Sequence, residues 1–418
     1  MTKNNLIALL LFFCSLTFHA QENFKVMFYN VLNYPLQAPA SRIQDFATIV
    51  QDYAPDLFMA CEINNATGAS NILNVLQNLN PDYLAANFVL NTSDDNIGNQ
   101  NDLQNMLYYD STKFTLQSQH EVTTVYRDFN HYVLILNTIN QATNPIRLDV
   151  FVAHLKSSSG TANQNLRLDM VNDFVNYLGT LPNDSYVMLG GDLNLYTHSE
   201  PAYQELLDTN NNITLVDPAD RNGSWHNNTN YLDVFTQSTR TANGLGGATG
   251  GFDDRFDFIL TSENMMSNPN IAYVDNSYKV YGNNNNPNCY NSEIISSNCD
   301  GADYDQTIRT ALYYMSDHLP VTLELETSES LNTSTFEITE SVSFIGSNLV
   351  DNTIQLKLNP SKIKDNTFQI YNTYGQLIST FNVEGLNQIR INVSNLSDGI
   401  YYITTQNNSS NPLKFIKY

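Results

Sequence analysis

The stretch Tyr186-Val187-Met188-Leu189-Gly190-Gly191-Asp192-Leu193-Asn194-Leu195-Tyr196 sets an apolar run against two glycines, then an acid and an amide one residue apart. A short apolar run bounded by Gly-Gly reads as a strand buried on both faces, whose end can bend tightly and approach its neighbours. Asp192 and Asn194 then stand at the mouth of that strand. Alternation along an extended backbone puts both side chains on one side, so a carboxylate and an amide converge on one point. Such a pair suits a hydrated divalent cation or a phosphate oxygen. Taken alone, Asp and Asn after Gly-Gly are equally ordinary turn formers. The rest of the chain decides between the two.

Upstream, residues 147–153 read as a strand that delivers His154-Leu155-Lys156-Ser157. A helix follows over about 164–178, with Leu168, Val171, Phe174, Val175 and Leu178 on one stripe. Residues 103–109 and 132–138 read as further strands, and the stretch 24–34 as an apolar strand ending in Asn30. Arg42, Ile43, Phe46, Ile49, Val50 and Tyr53 recur at helical spacing up to Pro55-Asp56, and residues 57–60 form a buried strand with Glu62 just beyond it. Strand, helix, strand in this order make a crossover unit, which predicts that Asn30 and Glu62 meet at neighbouring strand ends.

Downstream, a short helix is expected around residues 202–207, then a Gly-rich polar region, 222–251, that holds Trp225 and reads as surface loops at a site rim. Residues 254–260 form a strand with acids at its start, Asp257 among them. Ser316-Asp317-His318-Leu319-Pro320-Val321 places an acid beside an imidazole ahead of a last strand at 322–325.

The chain of 418 residues is long enough for one large domain and one small one. One early lysine, a short apolar core and Ala20 describe a cleaved secretory signal over residues 1–20, too short to span a bilayer, and no later run suits a membrane helix. In an exported chain Cys289 and Cys299, bracketing a polar loop, are expected to pair, while Cys61 sits in an apolar run as a buried thiol and Cys14 leaves with the signal. A net charge of −23 with only 19 Lys and Arg repels polyanions, which argues against a protein gripping a long nucleic-acid footprint. It leaves room for a small site in which a cation reverses the local sign.

Residues 327–343 read as a Ser/Thr/Glu-rich linker, and alternating runs at 353–358, 368–371, 389–393 and 400–404 separated by turn residues describe a small antiparallel sandwich over 344–418. That part gathers no titratable cluster, so chemistry is expected in residues 21–326. There the strand ends offer Asn30, Glu62, His154, Asp192, Asn194, Asp257, Asp317 and His318. Two or three carboxylates with an amide and water suit Mg2+, and imidazoles suit proton transfer near neutral pH. The matching reaction is hydrolysis of a phosphate ester. A zinc peptidase would want closely spaced histidines, and a serine hydrolase its nucleophile elbow; neither is found in the sequence.

Taken together, Tyr29-Asn30-Val31, Cys61-Glu62, Ala153-His154, Gly191-Asp192-Leu193-Asn194, Arg255-Phe256-Asp257-Phe258 and Ser316-Asp317-His318 resemble, in this order, the endonuclease/exonuclease/phosphatase family over roughly residues 24–326. The resemblance implies a four-layer α/β sandwich, two packed mixed sheets flanked by helices. It implies Glu62 as principal metal ligand with Asn30 and Asp317 beside it, and Asp192 and Asn194 positioning water and phosphate. His318 oriented by Asp257 would be the general base and His154 the general acid. Mg2+ is the implied ion, with Mn2+ or Ca2+ as alternatives. Asp102 lies where an acid orienting His154 would stand, though it could equally be a loop residue. Arg127 resembles a phosphate-contacting arginine without the usual following proline, a solvated arginine being the alternative. Tyr29-Asn30-Val31-Leu32-Asn33-Tyr34 and Glu62-Ile63-Asn64-Asn65 look like secreted bacterial nucleases, which makes Asn65 a candidate substrate contact.

Residues 350–418 resemble the type IX secretion sorting domain through Leu358-Asn359-Pro360, Tyr371-Asn372-Thr373-Tyr374-Gly375, Leu396-Ser397-Asp398-Gly399-Ile400-Tyr401 and Lys414-Phe415-Ile416-Lys417. That implies export through the periplasm of a Gram-negative cell to the surface or the medium. The resulting expectation is a monomeric, secreted, divalent-metal-dependent phosphodiesterase acting on extracellular DNA or RNA. Its rivals are a sphingomyelinase-like lipid phosphodiesterase and a catalytically inert surface adhesion module.

Overall fold

In the computed structural model, which describes residues 22–93, 103–331, 342–345, 348–359, 363, 366–405 and 412–418, the run before Asp192 is a strand buried from Val187 onward. The expected signal segment, Asp102, Pro360 and residues 332–341 of the expected linker lie outside the described residues. The chain divides into two compact units, Met1–Asn332 and Thr333–Tyr418.

The first unit holds two mixed sheets. One takes β1 (Glu22–Tyr34), β2 (Leu57–Ile63), β3 (Tyr83–Ala85) and β4 (Gln104–Asp110). The other takes β5 (Phe114–Val122), β6 (Phe129–Leu136), β7 (Arg147–His154), β8 (Tyr186–Asp192), β9 (Leu215–Val216) and β10 (Asp257–Ser262). The short strands β11 (Ala272–Tyr273) and β12 (Lys279–Val280) and the long β13 (Val321–Thr327) complete the first sheet. In it β13 runs antiparallel to β1 and β1 parallel to β2, as the crossover predicts.

The inner faces meet through apolar side chains of both sheets, Phe28 and Met59 from one with Val150, Met188 and Ile259 from the other. A Cβ on Gly190 would stand 2.6 Å from Met59 Cε and 3.3 Å from Phe28 Cδ2, so the facing sheet packs directly over this glycine. The helices α1 (Arg42–Tyr53), α2 (Ala66–Leu79) and α5 (Gln306–Met315) contribute Phe46, Ile72 and Leu312 to this larger core. The helices α3 (Thr161–Leu178) and α4 (Pro201–Leu206) close a second one over Phe151, Leu189 and Phe258. The result is the expected α/β sandwich of four layers.

Several local expectations need correction. The sequence reading missed α2, α5 and β5. Trp225, expected on surface loops, has no exposed surface: its ring lies edge-on to Tyr203 and Phe258, and its indole N–H donates to the Arg221 carbonyl. Much of 232–240 is buried with it. Beyond β13, Ser328 N and Ile139 N donate to the carbonyls of Pro269 and Ser330, so the chain stays on the first unit through Leu331. Cys289 and Cys299 are bonded and Cys61 is a buried free thiol. No helix among the described residues is long and apolar enough to cross a membrane.

The second unit pairs a three-stranded with a five-stranded sheet around Ile354, Leu356, Phe368, Ile370, Ile403 and Phe415. It adds Leu377–Asn382 and Leu413–Lys417 to the expected strands.

Candidate active site

Strand register lines up three of the singled-out residues. Asp192, at the end of β8, stands opposite His154 of the parallel β7 and opposite Asp257 of the antiparallel β10. The facing sheet brings Asn30 opposite Cys61, with Glu62 next in β2. A register shift between β1 and β2 falls there, and Glu62 takes φ +62, a left-handed conformation that non-glycine residues seldom adopt. Asn33 N donates to Glu62 Oε2 at 2.9 Å and so holds the carboxylate in place.

His318 enters between α5 and β13. Ser316 Oγ donates to the Asn30 carbonyl at 2.7 Å and accepts from His318 N at 3.2 Å, fastening that turn to β1. His318 Nδ1 is 2.7 Å from Asp257 Oδ2, and its Nε2 is 3.7 Å from Asp192 Oδ2. Asn30 Nδ2 donates to Glu62 Oε1 and to Asp192 Oδ2, both at 3.0 Å. His154 Nε2 lies 3.5 Å from Asp192 Oδ2 and 3.8 Å from Glu62 Oε1. Six singled-out residues from two sheets thus meet in one cluster: Asn30, Glu62, His154, Asp192, Asp257 and His318.

The electrostatics follow from burial. Asp192 is pushed up to about 8, first by burial and then by the Asp257 and Glu62 carboxylates, against the pull of His318. Burial and Asp317 also raise Glu62. Burial, Arg127, His318 and Lys156 hold His154 well below the ordinary imidazole range. A carboxyl at 3.5 Å does not reverse this, because Asp192 itself is inclined to be protonated. Burial pulls His318 down, but the carboxylates of Asp257, Asp317 and Asp192 outweigh it and hold it well above the ordinary range.

Other residues take different places from those expected. Asn30 Oδ1 accepts from Leu32 N at 2.9 Å, so its amide turns N–H groups, not oxygen, toward the carboxylates. Asp317 Oδ2 accepts from Ala248 N at 2.6 Å and from Gln237 Nε2 at 3.2 Å. Asn194 is not extended: with φ +50 it turns away from strict alternation, and its Nδ2 donates to the Leu155 carbonyl at 3.3 Å. Arg127 is buried and not solvated, its guanidinium donating to the carbonyls of Leu155 at 3.2 Å and His154 at 3.5 Å. Arg127 and Asn194 therefore brace the backbone around His154. Asn65 caps α2, its Oδ1 accepting from Gly68 N at 3.0 Å. His154 Nδ1 has no hydrogen-bond partner among the described residues.

Glu62, His154 and Asp192 each offer a ligand atom within 4.8 Å of the others. Two carboxylates raised first by burial, met by one amide and two imidazoles, form a donor set that a divalent cation would relieve, so the residues present fit such an ion.

Two supporting residues escaped the sequence reading. Thr236 Oγ1 accepts from Phe256 N and Asp257 N at 3.0 and 3.2 Å, fixing the start of β10. Gln237 Nε2 stands 2.5 Å from His318 Nε2. Both lie in the polar region read as loops, and the one available signal was the apolar Val234-Phe235 just before them.

No curated protein matches the chain. Among solved structures it is similar to D. rerio TDP2 complexed with single strand DNA product, at 14% identity and TM-score 0.47, covering 73% of this chain and 99% of that one. It is similar to the human Nocturnin catalytic domain with bound sulfate anion, at 14% identity and TM-score 0.46, over 73% of this chain and 97% of that one. A Bacteroides thetaiotaomicron endonuclease/exonuclease/phosphatase family protein follows at 15% identity and TM-score 0.44, over 73% and 96%. In the second unit, residues 348–417 match the family model of the secretion system C-terminal sorting domain.

Proposed function

We propose that the chain is an exported, divalent-metal-dependent phosphodiesterase, a nuclease acting on extracellular DNA or RNA. The observation that carries this reading is the single cluster in which Glu62 and Asp192 lie beside two imidazoles, one of them backed by a buried carboxylate. The resemblance of residues 29–34 and 62–65 to secreted bacterial nucleases supports nucleic acid as substrate. The sorting-domain match supports export, for which we propose the type IX machinery, with the first unit acting as a monomer.

Glu62 and Asp192 would hold the cation, Mg2+ by preference, which supplies positive charge against the phosphate oxygens. Asp257 accepts from His318 Nδ1–H and so leaves Nε2 as the nitrogen that takes a proton from the attacking water. Asn30 Nδ2 sits where an amide N–H can meet developing negative charge. His154 starts neutral. An anionic phosphodiester beside it favours its protonated form, so substrate binding itself charges the group that returns a proton to the leaving oxygen. Arg127 and Asn194 keep that imidazole in place through the backbone behind it.

The test compares plasmid DNA, RNA, sphingomyelin and a small phosphodiester, with and without a chelator, for wild type, His154→Ala and Glu62→Ala. Cleavage of nucleic acid, abolished by chelation and by either substitution, is the expected result. Turnover of sphingomyelin alone would move the substrate to lipid, and unchanged activity in His154→Ala would remove the site assignment.

A further inference from the structure

We propose that Gln237 is a positioning residue that governs when His318 can act, its carboxamide covering the imidazole nitrogen the attacking water must reach. The inference rests on the proposed function only in taking His318 as the base.

The backbone around Gln237 is clamped on both sides. Gln237 N donates to the Asp254 carbonyl at 3.0 Å, and the Gln237 carbonyl accepts from Asp253 N and Asp254 N at 3.0 and 2.9 Å. On the other side Leu319 N donates to the Thr236 carbonyl at 2.7 Å and Thr239 N to the Asp317 carbonyl at 3.1 Å. The side chain alone is free to change place, and it is only half-buried, so solvent is open to it. Its carboxamide lies between two acceptors, 3.2 Å from Asp317 Oδ2 and 2.5 Å from His318 Nε2.

With Nδ1–H committed to Asp257, Nε2 carries the lone pair of the neutral ring, and the amide N–H points at it. That N–H covers Nε2. A general base must stand within about 2.6–3.2 Å of the water it deprotonates. A separation of 2.5 Å between the two nitrogens leaves no room for that water between them. Catalysis therefore requires the carboxamide to give up His318, keeping Asp317 or swinging to solvent, while the water takes its place. Gln237 exchanges with the nucleophile: it protects the base when substrate is absent and is displaced when substrate seats a water.

The test uses the full chain and reads His318 directly. Diethyl pyrocarbonate acylates an unprotonated imidazole nitrogen, so labelling is followed as a pH series and the alkaline plateau rates are compared, and peptide mass mapping gives the rate at His318 alone. Gln237→Met keeps the length and removes the polar atoms, while Gln237→Asn shortens the reach by one methylene. A net hydrogen bond of ordinary strength corresponds to about a fivefold effect. Both variants should label at His318 about fivefold faster than wild type and show a kcat/KM raised by a similar factor, with circular dichroism unchanged. Equal labelling rates in wild type and both variants would overturn the proposal. So would faster labelling with a lowered kcat, which would make the amide a support for the base instead of a competitor for it. If wild type turns over no phosphoester, the functional reading fails while the labelling rates still decide whether Gln237 covers His318.

Discussion

His318 Nδ1 stands 2.7 Å from Asp257 Oδ2, and the carboxylate that holds it has no exposed surface. Asp257 begins β10 directly opposite Asp192, while Thr236 Oγ1 caps the amides of Phe256 and Asp257. The acid is therefore fixed by sheet register, and it in turn fixes which imidazole nitrogen carries hydrogen. In Asp257→Asn an amide N–H can face Nδ1 and favour the opposite tautomer. We expect kcat to fall on the order of 10²- to 10⁴-fold with little change in KM, the range a positioned base supplies. Steady-state kinetics on the preferred substrate check this, and a kcat within about threefold of wild type would remove Asp257 from the role.

Glu62 and Asp192 share one Asn30 amide, and each is raised by burial before any neighbour is counted. A divalent cation held between them would offset that burial cost in the folded chain. At a hundredfold excess over Kd it should stabilise wild type by about 2.7 kcal/mol. Glu62→Gln removes one charge and keeps the shape. Metal-free, it should melt near wild type, because the loss of a charge is offset by an amide N–H that must face the Asn30 or Asn33 donor. With Mg2+ or Mn2+ present, its melting temperature should barely move. Thermal unfolding of both proteins with and without metal reads this, and an undiminished metal-induced rise in the variant would place the ion elsewhere.

The same burial makes stability depend on pH in a direction that can be worked out. Asp192 is pushed up to about 8 from an ordinary value of 3.8, so between these limits the folded chain binds more protons than the unfolded one. Its contribution is present at the acid end and is lost as pH rises through the folded value. Metal-free wild type should therefore lose stability relative to Asp192→Asn as pH climbs from about 5 to 8. Urea unfolding midpoints for the pair, measured across that range, check it. Parallel curves would mean that the carboxylate stays ionised in the folded protein.

What could be read from the sequence and what could not divide along physical lines. The strands at β1, β2 and β8 announce themselves because both faces are buried, so nearly every residue is apolar up to a polar tip. Those tips are Glu62 and Asp192, whereas Asn30 lies inside β1, which runs on to Tyr34. The meeting of His154, Asp192 and Asp257 is a matter of register between distant strands, which no local pattern encodes; it came from the order of motifs. Asn194 shows the limit of periodicity, since Asp-Leu-Asn looks extended until a φ of +50 turns it. Trp225 and Gln237 were hidden for another reason. Their segment has the composition of loops, yet its backbone groups find partners in Thr236, Asp254 and Asp317, so it can be buried without forming a long strand. The helix α2 was missed because its exposed face is Asn- and Gln-rich.

The two glycines ahead of Asp192 are not equivalent. A Cβ on Gly190 would meet Met59 Cε and Sδ at 2.6 and 2.7 Å, the far end of a flexible thioether that can give way. A Cβ on Gly191 would meet the Ala153 carbonyl oxygen at 2.8 Å and Leu193 Cδ2 at 2.9 Å. That carbonyl belongs to the strand paired with β8 and precedes His154, so it cannot move without shifting the residue aligned with Asp192. We expect Gly191→Ala to cost about 1–3 kcal/mol, the range for overpacking a tight interior, and Gly190→Ala to cost less. Because the displaced atoms carry His154, Gly191→Ala should also lower kcat in the fraction that remains folded, while Gly190→Ala should leave it near wild type. Urea midpoints with kinetics on both variants decide it, and a larger loss for Gly190→Ala would mean that the space between the sheets, not the pairing of β7 with β8, sets the demand for glycine.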